Sequence, residues 1–396
     1  MTPSTETIRA YWGLDPSVEF LNHGSFGACP KPVLAVQSEY RARLEAEPVR
    51  FLVREVPPLL DAARAALGVF LGADFESLAW IQNATTGVNI VLRSLRFSPG
   101  DEILVSDQEY NACRNIVDYV AETSGARAVV VKIPFPLDSP DQVFDAVMAA
   151  LTPRTRFVLI DHITSQTGLV FPIERIVRAV RERGIDVMVD GAHAPGMVPL
   201  RIDELGAPFY TGNCHKWMCT PKGSAFLYVD RRRQKEIRPL VVSHGANERL
   251  TTRSRFRAEF EWMGTGDPTP FLCVPEAIRF LGGLLPGGWD ALRTSNRNLA
   301  LAARRLIAAA TGIPSPAPDS MIGSLAAFRI PDMSAAEMKA PQSIDPFQDA
   351  LFARGFELPV NVWPAPPVRY ARIAAQIYNS LDQYERLAQV LRELRG

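Results

Sequence analysis

Between residues 78 and 190 short apolar runs alternate with longer amphipathic stretches. Leu78-Ala-Trp-Ile81, Glu102–Ser106, Ala128–Ile133, Arg156–Asp161 and Asp186–Asp190 have the length and apolarity of buried strands. Between them Val88–Leu95, Ala112–Thr123, Asp141–Leu151 and Ile173–Arg183 read as helices. Strands alternating with helices predict a parallel sheet covered on both faces. Upstream, Pro32 opens a helix reaching about Glu47. A second helix follows Pro57-Pro58 and ends near Gly72, with Leu59, Leu60, Ala63, Leu67 and Phe70 at helical spacing. From about residue 275 the pattern changes. A long helix, Trp289–Thr311, is followed by Pro- and Ser-rich loops and a closing helix, Leu381–Leu394. The chain therefore reads as an irregular arm (1–31), a large α/β domain (32–274) and a smaller C-terminal domain (275–396).

In parallel sheets ligands bind beyond the C-terminal strand ends. Polar clusters fall there: Gln108-Glu-Tyr-Asn111, His162-Ile-Thr-Ser-Gln-Thr-Gly168 and Asp190-Gly-Ala-His193. Gln82-Asn-Ala-Thr-Thr-Gly87 lies between a strand and a helix, a geometry that offers N–H groups and a helix dipole to a phosphate. The same residues also suit an ordinary Asn/Thr N-cap. No Gly-Lys-Ser/Thr follows, and no Gly-x-Gly-x-x-Gly follows a strand, which argues against a P-loop and a dinucleotide fingerprint.

Composition narrows the classes. Of 396 residues 47% are hydrophobic and 22% charged, and the net charge is zero. That gives no electrostatic case for nucleic acid or an anionic membrane. No apolar run approaches a membrane span, and the first residues lack the pattern of a signal peptide. Five cysteines without paired metal-ligand spacing suggest reduced thiols and a cytoplasmic setting. Cys214, His215 and Cys219 lack a second ligand cluster, so no metal is expected. The chain uses arginine for solubility: only six of its 43 basic residues are lysine. Lys216 is the one in an aromatic, weakly polar setting, within Phe209–Ser224. Burial would lower its pKa and leave an amine able to attack a carbonyl. A surface or snorkelling lysine is the plain alternative. Asp190 closes an apolar strand, and a pyridine ring between it and Lys216 would find a carboxylate for its nitrogen and an amine for its aldehyde.

These residues carry a resemblance. Phe-Leu-Asn-His-Gly-Ser-Phe-Gly (20–27), Ala-Glu-Pro-Val-Arg-Phe-Leu-Val-Arg-Glu (46–55), Val-Asp-Gly-Ala-His-Ala-Pro-Gly (189–196), Asn-Cys-His-Lys-Trp (213–217), Trp-Met-Gly-Thr-Gly-Asp-Pro (262–268) and Ile-Tyr-Asn (377–379) run nearly the whole length in order. The chain resembles the class V aminotransferase superfamily of pyridoxal 5′-phosphate (PLP) enzymes, fold type I, and within it the isopenicillin N epimerase-like branch. The resemblance implies the α/β fold of PLP-dependent transferases: a large domain with a mostly parallel sheet between helices, plus a smaller α+β C-terminal domain. It implies that Lys216 forms the Schiff base and shuttles the proton at Cα, with Asp190 on the ring nitrogen. Tyr110 would stack on the ring. Ala84, Thr85, Asn213 and His215 would hold the phosphate. His193 and Ser165 (or Thr164, Gln166) would lie near the ring hydroxyl. Arg372 would clamp the substrate carboxylate, with Asn22 and His23 also in substrate binding. Thr265 would reach the neighbouring subunit's phosphate, which implies a homodimer. Trp217, Trp262 and Trp363 read as packing.

The implied activity is chemistry at the Cα of an amino acid or a derived metabolite, with epimerisation leading. A C–S β-lyase, or a decarboxylating or deaminating enzyme of secondary metabolism such as antibiotic biosynthesis, is the alternative. A catalytically silent binding protein on the same fold is a further one. Persulfide-forming desulfurases carry a cysteine on a loop before the C-terminal arginine, whereas the last cysteine here is Cys273. That departure argues against a desulfurase.

Overall fold

The computed structural model describes residues 4–248, 253–339 and 344–395. Strand β1 (Glu19–Phe20) lies in the N-terminal arm and pairs in parallel with β10 (Phe356–Glu357). The central sheet holds β2 (Leu78–Ile81), β3 (Glu102–Ser106), β4 (Arg127–Val131), β5 (Thr155–Asp161), β6 (Asp186–Asp190), β7 (Phe209–Asn213) and β8 (Ala225–Val229). Its order is β2-β8-β7-β6-β5-β3-β4, parallel except where β8 joins β7 and β2. Each parallel crossover carries a helix, the arrangement that buries both faces.

The helices that position the site are α1 (Lys31–Ala46), α2 (Val56–Leu71), α3 (Ala84–Ser94), α4 (Asn111–Ser124), α5 (Pro140–Ala150), α6 (Ile173–Glu182), α7 (Val274–Gly282), α8 (Gly288–Thr311) and α9 (Leu381–Arg395). Alternation along the strands splits the core. Val158, Ile160, Val187 and Val189 pack on one face. Phe157, Leu159 and Met188 pack on the other, with Cys113, Ile116 and Val117 of α4. By the same period of two, Asp161 and Asp190 project to this second face.

Helix α3 begins at Ala84, one turn before the expected Val88. The Asn83 side chain accepts the Thr86 N–H at 2.9 Å, so the polar Ala84-Thr-Thr turn is already helical. The apolar period that marks a helix in sequence starts only after that capped turn.

The C-terminal unit is a three-stranded antiparallel sheet, β11 (Val360–Val362), β12 (Arg369–Ala374) and β9 (Leu325–Arg329), against α8 and α9. Helix α7 packs on α1 and α2 of the large unit. It also meets α8, which follows at Gly287-Gly288. The arm joins both units. β1 completes the C-terminal unit, while Gly27 presses on the Lys216 loop. Gly27 has φ +72°, and a Cβ there would lie 2.1 Å from the His215 carbonyl oxygen, so only glycine permits the approach.

Candidate active site

A cavity of about 1140 Å3 opens at the C-terminal ends of β5, β6 and β7. Ten expected residues line it: Ala84, Thr85, Tyr110, Ser165, Asp190, His193, Asn213, His215, Lys216 and Thr265. Thr265 lies on the rim of its own chain's cavity, on an exposed segment. Thr164 is buried and bonded to Thr167 at 2.7 Å, and neither Thr164 nor Gln166 lines the cavity.

Lys216 follows β7 in a turn closed by the Cys219 N–H on the Lys216 carbonyl. Burial first, then the Arg372 charge, lower its pKa to about 8, with Asp190 acting in the opposite sense. Its Nζ lies 3.2 Å from Nε2 of His193. On the ring's far side the Trp217 indole donates to His193 Nδ1 at 3.3 Å. Burial, and then Lys216, hold His193 well below the usual histidine pKa, so the ring is neutral. With Nδ1 accepting from Trp217, its proton sits on Nε2 and faces the amine. Trp217, expected only to pack, therefore also fixes a tautomer.

Asp190 accepts the Ala192 N–H at 2.8 Å and the Cys113 thiol at 3.3 Å. Burial pushes its pKa up, while these donors and Lys216 favour the anion. At the other end, α3 presents its first turn. The Asn213 side chain takes the Ala84 N–H at 2.9 Å. Neither the N–H nor the hydroxyl of Thr85 has a partner among the described residues. His215 Nδ1 donates to the Ser224 carbonyl at 2.9 Å, leaving Nε2 to face the cavity, and burial holds its pKa down to about 4.

Three expected substrate residues do not line the cavity. His23 is fully buried beneath Lys216. It bonds Tyr378 Oη at 2.8 Å and the Lys216 carbonyl at 3.0 Å, and burial drops its pKa to about 3. Asn22 turns to Glu357 at 3.0 Å and accepts from Ser25 at 2.6 Å. Both support the wall rather than form it, because the arm enters the sheet with β10 and turns their side chains inward. Arg372 stands one layer behind. It donates to the Ser165 carbonyl and to Ser25 Oγ at 3.3 Å, and both of those residues line the cavity. It is 3% exposed, its Nε has no partner, and no carboxylate pairs with it among the described residues. Burial lowers its pKa to about 10. A buried guanidinium without an acid is suited to an anionic ligand.

The residues fit a PLP-sized anionic pyridine. Free donors at the α3 N-terminus suit a phosphate, Asp190 suits a ring nitrogen, and Lys216 lies between them. Sequence reasoning did not single out Glu109, Asp161 and Cys113, which surround Asp190. Asp161 carried a signal, since it closes its strand as Asp190 does.

Residues 25–340 match the Aminotransferase class-V family, and the chain belongs to it. The protein is accordingly a PLP-dependent enzyme with pyridoxal phosphate as its cofactor. It is 36% identical to the isopenicillin N epimerase of Streptomyces clavuligerus over 99% of this chain and 98% of that one. It is 30% identical to a probable chloroplastic L-cysteine desulfhydrase of Arabidopsis thaliana, over 99% of this chain and 86% of that protein. Among solved structures, the cysteine desulfurase CsdA of Escherichia coli superposes with a TM-score of 0.80 at 21% identity, covering 100% of both chains. That likeness shows the fold alone. Among the described residues no helix is long and apolar enough to cross a membrane.

Proposed function

We propose that the protein epimerises the Cα of an isopenicillin N-like amino-acid substrate. The observation that carries this is Lys216, a buried amine with its pKa lowered to about 8, facing a neutral histidine in the cavity. Such an amine can take a proton from Cα and return it at neutral pH. The near full-length likeness to two epimerases, at 36% and 37% identity, supports this reaction over others of the family.

When bound, PLP supplies an aldehyde for the substrate's amino group and a ring that spreads the electron pair left at Cα. Asp190 would pair with the ring nitrogen and favour its protonated form. Thr85, with its N–H and hydroxyl free among the described residues, would hold the phosphate, joined by Ala84, Asn213 and His215. His193 and Ser165 orient the ring hydroxyl, while Tyr110 covers a ring face. Arg372, reached past Ser25 and Ser165, grips the substrate carboxylate. The enzyme works as a cytoplasmic homodimer in which the exposed Thr265 segment reaches the neighbouring phosphate. Phe26, 74% exposed at the cavity mouth, supports coverage by a second copy.

A C–S β-lyase is the second reading, supported by the desulfhydrases at 30% identity. A persulfide route is disfavoured. No cysteine follows Cys273 in the sequence, and burial pushes the thiol pKa of Cys29 up to about 12 and raises those of the other four. Incubation of isopenicillin N-like substrates and of cysteine in D2O separates the readings. Cα deuterium in both configurations, without keto acid, is expected. Pyruvate and sulfide from cysteine, with no inverted product, would replace epimerisation by the lyase reading.

A further inference from the structure

Three carboxyl groups crowd the Asp190 end of the cavity, and only one is well supplied with donors. Glu109 follows β3, Asp161 closes β5 and Asp190 closes β6. The pairing of β5 with β6 sets Asp161 directly beside Asp190. Glu109 and Asp161 are 4% and 3% exposed. Both oxygens of Glu109, and Oδ2 of Asp161, are buried without a hydrogen-bond partner among the described residues. Neither side chain joins an ion pair among those residues. Asp190, by contrast, has the Ala192 N–H and the Cys113 thiol.

The groups facing this corner are few. Cys113 comes from α4, Tyr210 from β7 and Lys216 from the loop after β7. Burial raises the thiol and the phenol well above their usual pKa, so both are neutral. The only donors near the two are backbone N–H groups, that of Tyr110 by Glu109 and Asp161's own; otherwise they meet each other and Asp190, and a buried carboxylate that meets no cation is strongly disfavoured as an anion. Burial, then the neighbouring carboxylates, push Glu109 well up. Burial, then Asp190, does the same to Asp161.

We propose that Glu109 and Asp161 stand as neutral carboxylic acids beside Asp190, making Asp190 the single anion of that wall. This rests on the cofactor nitrogen meeting Asp190, as in the reading above. The consequence concerns the amine. Negative charge near Lys216 favours its ammonium form. Two more carboxylates in the same wall would hold the proton on it and remove the nucleophile. Confining the charge to Asp190 matches one ring cation with one anion.

Infrared spectra of the holoenzyme at neutral pH test this, comparing wild type with Glu109→Gln and Asp161→Asn. Each amide keeps the shape and neutrality of the acid it replaces. The wild type should show carboxylic-acid C=O absorption, and each variant should lose one component of it. The pH midpoint of the bound cofactor's visible absorption should stay within about half a unit in both variants. Either variant leaving the carboxylic-acid region unchanged would overturn the proposal. So would a fall of about one unit or more in the midpoint, the sign that a true negative charge was removed. A purely structural role would alter stability without removing an acid band. Wild-type protein without cofactor absorption would sink the reading of the site, while the infrared comparison would still decide these charge states.

Discussion

The indole nitrogen of Trp217 lies 3.3 Å from Nδ1 of His193, whose opposite nitrogen stands 3.2 Å from the Lys216 amine. Two consecutive residues of one loop thus hold the two sides of one imidazole. The residue next to the reactive lysine sets which nitrogen of its neighbour carries the proton.

Replacing Trp217 by phenylalanine keeps most of the bulk and removes that donor. The ring is then free to place its proton on Nδ1, which leaves a lone pair facing the amine. A loss of about 1 kcal/mol, or roughly fivefold in kcat, is expected, with little change in KM. Steady-state kinetics on Trp217→Phe check it. An unchanged kcat would show that the tautomer does not matter.

The lowered lysine pKa has a pH signature. In protein stripped of cofactor, the rate of covalent PLP capture should rise as pH approaches about 8 and level off above it, following the neutral amine. The same shift makes the unfolded chain bind more protons than the folded one between about 8 and the ordinary lysine value of 10.5. Cofactor-free stability attributable to this group therefore rises with pH across that window. Denaturant melts of wild type against Lys216→Met read the difference. Borohydride reduction and peptide mapping should place the label on Lys216 and not on Lys222, whose Nζ is engaged by the Gly27 carbonyl at 2.7 Å.

Asp190→Asn removes the anion while keeping the Ala192 bond available. Turnover should fall roughly a hundred- to thousandfold, the scale seen when one electrostatic group is lost from a site. Thermal stability should hold or rise, because a buried charge is gone. A turnover near that of wild type would mean that another group holds the ring proton.

Arg372→Gln tests the carboxylate grip. Hydrogen bonds to a charged group are worth about 2 kcal/mol, so KM should rise roughly thirtyfold. Cofactor absorption should persist, since Arg372 lies behind the wall and not among the residues proposed for PLP. Loss of the cofactor together with affinity would place Arg372 in the cofactor site instead.

Strand positions were legible because buried strands are short and apolar, and Leu78–Ile81 and Asp186–Asp190 begin and end where the pattern says. The expected residues of the cavity wall were legible because they sit on strand ends and next to a rare lysine. What direction a side chain takes was less so. Asn22 and His23 belong to a distinctive motif, yet they point into the arm's own network, which forms only through Glu357 and Tyr378, 335 and 355 residues further on. Glu109 looked like loop polarity, and Asp161 like one more strand end, until the β5–β6 register set Asp161 beside Asp190. Trp217 was read by its hydrophobic body, and its N–H partner lies on another strand end.

The pairing of β1 with β10 has a consequence for the chain during its synthesis. Asn22 bonds Glu357, 335 residues further on. At a translation rate of about 5–20 residues per second, the arm waits roughly 20–70 seconds for its partner strand. Through that interval Leu21, fully buried in the finished fold, has no strand to cover it. The stretch from Glu19 to Gly27, which braces the Lys216 loop, is thus made well before the strand it docks on. The bracing of that loop therefore waits on a strand made some 335 residues later.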